Sequence, residues 1–188
     1  TTFGKSPGGR ELPLLVLSSR GVKTPAESRR LGKPVVLVIS GIHAGEVEGK
    51  EGCLMLARDL LAGTQPGAAE ILASLTLVIV PLFNPDGNDA IDPGNRRLHL
   101  PQLTGQLGPD SGVGTRVNAA KINLNRDYMR QEALEMRLLQ SRVCQVWEPD
   151  LTIDNHATNG SVHRFSMTYD VPHTFESGRP EPILYMRE

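Results

Sequence analysis

The chain has 188 residues, 39% hydrophobic and 22% charged, with 20 basic against 21 acidic side chains and a formal net charge of -1. That length can bury a core without disulfides or metals, and the charge balance excludes a disordered tail, a strongly basic nucleic-acid binder and a polybasic membrane binder. No apolar run nears the roughly 18 residues of a membrane span, and 19 Gly with 14 Pro exceed the ordinary combined share of roughly 12%, which points to a loop-rich domain.

In chain order, Ser6-Pro7-Gly8-Gly9 reads as a turn and residues 11–18 as the strand after it. Residues 20–33 read as a polar linker. Residues 34–40 are continuously apolar, as a strand covered on both faces must be. Residues 47–62 carry Leu54, Ala57, Leu60 and Leu61 at helical spacing and stop at Gly63. A shorter helix at 68–73 leads into a second buried strand, 75–82, ending at Asn84-Pro85-Asp86-Gly87. Residues 88–121 have little periodicity and are long for a structureless connection, a length usual for functional loops. Residues 131–147 form the next helix, which Pro149 ends; 151–156 read as a third strand and 165–169 as a fourth. Strands alternating with helices imply an α/β fold, in three α/β/α layers around a mostly parallel or mixed twisted sheet. Cys53 and Cys144 both fall in amphipathic helix and read as packed free thiols.

Ligands of open α/β sheets collect beyond the carboxyl ends of the strands. The strand at 34–40 runs into Gly41-Ile42-His43-Ala44-Gly45-Glu46, and the strand at 151–156 delivers His156. Two imidazoles and a carboxylate on one rim form the donor set of catalytic zinc, which keeps a fourth position open. A satisfied loop histidine beside an unrelated carboxylate is the alternative; the Gly-flanked position directly after a buried strand favours the metal. His99, His163 and His173 lack such context and read as surface or structural residues. Along residues 121–128, Ile122 and Leu124 alternate with Asn123 and Asn125 as in a short strand, which would point both amides to one side. Asn125 and Arg126 suit a carboxylate, the guanidinium as a planar fork and the amide as a further donor, unless Arg126 pairs with Asp127 or another acid. The chain has no intact phosphate loop, no His-Glu-x-x-His helix and no Gly-x-Ser-x-Gly elbow. Asn159-Gly160-Ser161 fits a tight turn better than a glycosylation acceptor.

His43-Ala44-Gly45-Glu46, Asn84-Pro85-Asp86-Gly87, Asn123-Leu124-Asn125-Arg126 and Asp154-Asn155-His156, in this order, resemble the zinc carboxypeptidases of the peptidase M14 family (carboxypeptidase A-like). Gly4-Lys5-Ser6-Pro7-Gly8-Gly9-Arg10 resembles the segment leading into that family's catalytic domain. The resemblance implies a zinc carboxypeptidase-like fold, with residues 1–188 as a single, incomplete catalytic domain, and a hydrolase that removes a C-terminal residue from a peptide. It implies one Zn2+ held by His43, Glu46 and His156, and a substrate carboxylate held by Asn125 and Arg126. Arg116, in preference to Arg96 or Arg97, is the residue expected to polarise the scissile carbonyl. A periplasmic or secreted location is favoured, and the Thr1-Thr2-Phe3 opening suits a processed or trimmed end. The same core serves the aspartoacylase and succinylglutamate desuccinylase group, so hydrolysis of an N-acyl amino acid is a second expectation. A non-catalytic zinc- or peptide-binding module is a third.

Two departures from the family's pattern stand out. The family's metal-facing His has an Asp behind it, two residues before the carboxylate-binding Asn, where this chain has Asn123. A neutral acceptor there should leave the ligand less basic. The family's general-base Glu comes from a late strand, whereas this sequence ends at Glu188, and Glu176, Glu181 and Glu188 lack the family's context. The expectation is a fragment, or a chain without that base.

Overall fold

A computed structural model describes residues 1–19, 22–102, 104–157, 167–169, 181 and 184. Among them are strands β1 (Thr2–Lys5), β2 (Glu11–Pro13), β3 (Leu15–Leu17), β4 (Val35–Ile39), β5 (Thr76–Val80) and β6 (Leu151–Asp154). The helices are α1 (Pro25–Arg30), α2 (Glu48–Ala62), α3 (Ala68–Ser74), α4 (Pro85–Asp89), α5 (Leu134–Leu139) and α6 (Gln145–Trp147), the last two joined through a π-helical turn, Gln140–Cys144.

The main sheet has the order β3-β5-β4-β6, with β3 antiparallel to β5 and the other pairs parallel. Alternation along the central strands explains the layering, because successive side chains of a strand face opposite ways. Val35, Leu37 and Ile39 of β4 and Val78 and Val80 of β5 pack with Met136, Leu139, Val143 and Trp147 from the α5–α6 segment. Val38, Leu77 and Ile79 pack on the other face with Cys53, Ala57 and Leu60 of α2 and Ala68 of α3. The expected α/β/α layers and mixed sheet are therefore present. The β4-to-β5 connection runs over one face and the β5-to-β6 connection over the other, so the connections leaving the neighbouring strands β4 and β5 diverge, the arrangement at which open sheets form their ligand crevice. Cys53 and Cys144 are both free thiols.

Several elements differ from the sequence expectation. Residues 11–18 are two strands, not one: β2 pairs with the unforeseen β1 in a hairpin, and β3 joins the main sheet. Pro13 ends β2, where a residue without an N–H cannot continue a ladder. The polar linker contains α1, whose start is a capping box: Thr24 Oγ1 accepts from Glu27 N–H at 3.3 Å, and the Glu27 carboxylate accepts from Thr24 N–H at 2.9 Å. The helix expected at 131–147 begins at Leu134, because the Asp127 carboxylate accepts from the N–H groups of Glu132 and Ala133 just before it. Asn84-Pro85-Asp86-Gly87, where the second buried strand was expected to end, opens the unforeseen α4, with Asn84 Oδ1 accepting from Gly87 N–H at 2.9 Å. Met167–Tyr169 is described and is not strand, while the rest of the expected fourth strand, with His163, His173 and Asn159-Gly160-Ser161, lies outside the described residues.

Glu135 is fully buried on α5, one carboxylate oxygen accepting from Asn118 Nδ2 at 3.0 Å and Oε1 without a partner among the described residues. Burial above all, seconded by the charges of Asp86 and Asp127, pushes its carboxyl pKa up against the pull of its hydrogen bonds. The folded state thus holds this proton to higher pH than the unfolded chain does. Its contribution to stability is full below the ordinary carboxyl value of 4.5 and lost as pH rises through the folded value. Glu135→Gln, uncharged and still an acceptor for Asn118, should flatten that decline in urea unfolding between pH 4.5 and 8; an unchanged slope would show that Glu135 is not its source.

Candidate metal centre

The loop after β4 carries the first two donors. Gly41 and Gly45 take positive φ, and this tight path turns His43 and Glu46 inward, leaving them 1% and 8% exposed. His156 follows β6, whose register against β4 pairs Ile39 with Asp154. Asn155 pins the approach: its N–H donates to Ile39 O at 2.8 Å and its amide to Ser40 Oγ at 3.1 Å. Gly49, in the first turn of α2, makes room for it, since a Cβ there would overlap Asn155. One donor atom from each of His43, Glu46 and His156 falls within 4.8 Å of the others.

The orientation of the two rings is chemically informative. His43 Nδ1 lies 3.1 Å from Glu46 Oε1, and His156 Nδ1 lies 3.2 Å from Glu46 Oε2. Behind them, His43 Nε2 meets Asn123 Oδ1 at 3.1 Å, and His156 Nε2 meets Asp154 Oδ2 at 3.2 Å. Asn123 Oδ1 also accepts from Asn125 N–H at 3.1 Å, so it is an acceptor and His43 Nε2 is the donor. A neutral His43 then presents the Nδ1 lone pair to a carboxylate oxygen. Two lone pairs at that distance are compatible with a positive charge between them, either a proton or a metal ion. The donor set therefore fits a zinc ion, with imidazole nitrogens facing in and their N–H groups tied back.

Electrostatics agree with a site built for cations. With a proton in that place, burial works to raise the Glu46 pKa, but hydrogen bonds from His156 and His43 outweigh it and hold the carboxyl well below the usual carboxylate range. The carboxylates of Asp154 and Glu46 push His156 up to about 9, against burial. Burial, with the charge of Asp154 and its hydrogen bond, raises the Tyr128 pKa, so its hydroxyl stays a donor, 3.1 Å from Asp154 Oδ2.

The long loop at residues 88–121 remains mostly irregular and reaches the centre through arginines. Arg96 Nη2 donates to Glu46 Oε1 at 2.9 Å and Nη1 to Ala44 O, with the Arg96 backbone at φ 50, an uncommon conformation for a residue with a side chain. Arg116 Nη1 lies 3.8 Å from the same oxygen, its side chain 42% exposed, while Arg97 turns away to Pro93 O. Asn123 and Asn125 do not alternate along a strand as expected: Leu124–Arg126 is a 3-10 turn that Asn123 caps. Asp127 directs its carboxylate to backbone N–H groups, so Arg126 is not paired with it; the Arg126 guanidinium is exposed and meets Asn125 O at 2.8 Å. His99 and Glu181 are exposed, and Glu176 and Glu188 lie outside the described residues. Sequence reasoning passed over Arg96 and assigned no role to Asp154, although residues two apart at a strand end share a side and so Asp154 could have been linked to His156.

Residues 1–181 match the family model for zinc carboxypeptidases, peptidase M14, and the chain belongs to that family. It is 32% identical over 146 residues to carboxypeptidase D of Drosophila melanogaster, covering 77% of this chain and 9% of that protein. It is 31% identical over 145 residues to carboxypeptidase Z of Homo sapiens, covering 75% and 20%. Among solved structures, a metallo-carboxypeptidase from Burkholderia cenocepacia superposes with a TM-score of 0.61 at 23% identity, over 85% of this chain and 36% of that one. A metallo-carboxypeptidase from Pseudomonas aeruginosa, in complex with (2-guanidinoethylmercapto)succinic acid, gives 0.59 at 22% identity, over 85% and 35%. The chain thus spans a minor part of each of these relatives.

Gly45 is the residue on which the inward turn of Glu46 depends. Its φ is 87, and a Cβ would overlap the Gln106 side-chain amide. Gly45→Ala should therefore cost about 1–3 kcal/mol in chemical unfolding; an unchanged midpoint would show that the loop can relax around a side chain.

Proposed function

We propose that the protein is a zinc-dependent metallocarboxypeptidase in which His43, Glu46 and His156 hold one zinc ion and the C-terminal peptide bond of a substrate is hydrolysed. The observation that carries this reading is the convergence of two imidazole Nδ1 atoms on one buried carboxylate, with both Nε2 atoms tied back. Bound there, zinc supplies a Lewis acid that polarises a carbonyl and lets water ionise near neutral pH.

The protein's own residues hold and orient the substrate. Arg126, exposed and without an ion pair among the described residues, with Asn125 beside it, is assigned the substrate's terminal carboxylate. Arg116 is assigned the scissile carbonyl; it is half-exposed, whereas Arg96 is engaged by Glu46 and Ala44. Burial and the like charges of Arg96 and Arg126 lower the Arg116 pKa, with Glu46 opposing. Arg96 and Arg116 stand 2.9 and 3.8 Å from the Glu46 carboxylate, and the charge of Arg126 is felt at Arg116, an excess of positive charge that favours an anionic substrate group. The ligand of the Pseudomonas aeruginosa enzyme, a succinic acid, also carries carboxylates. A periplasmic or secreted location is part of the proposal; among the described residues no helix is long and apolar enough to cross a membrane.

Metal analysis after reconstitution should find about one zinc per chain, lost on His43→Ala or His156→Ala; full stoichiometry in either variant would show that other residues hold the metal. For carboxylate recognition, Arg126→Ala should weaken a free-carboxylate peptide by about 1.5–3 kcal/mol, the range for a hydrogen bond to a charged group, and scarcely affect its C-terminal amide. Equal losses for both ligands would remove Arg126 from that role, and turnover of N-acyl amino acids in place of peptides would move the activity to the smaller substrate class.

A further inference from the structure

The geometry points to Asp154 as a positioning residue for His156, anchored by Tyr128, so that the negative charge behind the histidine donors stands behind His156 instead of His43. This rests on the metal-centre reading above. The two histidines are held alike from behind, each through Nε2, but by acceptors of different charge. His43 Nε2 donates to the neutral amide oxygen of Asn123, and His156 Nε2 stands 3.2 Å from the carboxylate of Asp154 as an ion pair. An imidazole whose N–H donates to a carboxylate is a more basic and better oriented ligand than one that donates to an amide.

Three features make Asp154 more than a strand-end acid. It is the last residue of β6 and sits in register opposite Ile39 of the central strand, so its backbone is fixed by the ladder. The oxygen that meets His156 also accepts from Tyr128 Oη–H at 3.1 Å, and the Tyr128 ring packs against the core cluster beneath. Among the described residues, no Lys or Arg forms an ion pair with Asp154, whose one charge partner is His156. Among the described residues its charge is therefore directed at His156. The side chain is 30% exposed, so solvent screening places the expected effect near the lower end of the 10- to 100-fold range for such outer residues.

The test measures zinc affinity of the full chain by competition with a chromophoric chelator, with far-UV circular dichroism of the metal-free proteins as a folding control. Asp154→Asn should weaken zinc about tenfold, and Tyr128→Phe, which leaves the carboxylate in place but loosens it, by a smaller factor. Asn123→Asp should tighten zinc, and the double variant Asn123→Asp/Asp154→Asn should recover most of the loss, a rescue that a merely structural Asp154 would not show. Affinity within twofold of the parent in Asp154→Asn, or no recovery in the double variant, overturns the inference. If Asp154→Asn fails to fold, Tyr128→Phe and Asn123→Asp decide: a parent-like affinity in both overturns it. A parent chain that binds no zinc sinks the metal-centre reading itself, whereas a parent that binds while Asp154→Asn is unaffected sinks this inference alone.

Discussion

Glu46 is a carboxylate 8% exposed in the loop that follows the central strand, and a buried charge is tolerated only when it is paired and hydrogen-bonded. Most of the architecture around the site answers that requirement. His43 and His156 approach it from two strands, Arg96 from the long loop, and the N–H of Ala157 from the chain beyond β6, at 3.2 Å. The partners come from three stretches of sequence, the loop of Glu46 itself, the long loop and residues 156–157, which one carboxylate draws together. The positive φ of Arg96 is a local cost that its contacts with Glu46 and Ala44 offset, the usual pattern of backbone strain beside a functional group.

A second carboxylate ties the outer parts of the molecule to the same scaffold. Asp86 accepts from Ser6 Oγ and Gly8 N–H, both at 2.8 Å, and from Arg10 Nη1 at 3.0 Å. The turn of the β1–β2 hairpin is thereby fastened onto α4, and Gly8 permits the approach because a Cβ would overlap the Asp86 carboxylate. Asn84, whose side-chain oxygen caps α4, donates through its amide to Ile42 O at 3.2 Å, one residue before His43. The Gly- and Pro-rich opening and the Asn84-Pro85-Asp86-Gly87 segment are therefore one structural unit, and it supports the loop of His43 and Glu46 from outside.

The buried strands β4 and β5 and helix α2 were legible in the sequence because burial on both faces makes a strand a continuous apolar run and burial of one helix face imposes a period of 3.6. Helix α1 was missed, although Thr24 and Glu27 carry the capping-box signal, because the polar composition of its surroundings masked it. The break between β2 and β3 and the 3-10 turn at Leu124–Arg126 were not legible, since alternation over four to eight residues does not reveal which partner each residue finds. For Asn123, helix-type capping of Asn125 N–H won over strand pairing.

At the site, the amino-acid sequence by itself determined which side chains are available: two histidines and a glutamate following buried strands, and the arginines of residues 88–126. Residue type and the strand-to-loop position carry that information, because metal-binding chemistry depends on the donor atoms. Only the tertiary structure decided that His156 Nδ1 reaches Glu46, that Asn123 backs the His43 ring, and that Arg96 rather than Arg116 is packed against the carboxylate. Those outcomes rest on contacts between residues 50 to 110 positions apart, set by how parallel strands align in the sheet. No local spacing encodes that alignment.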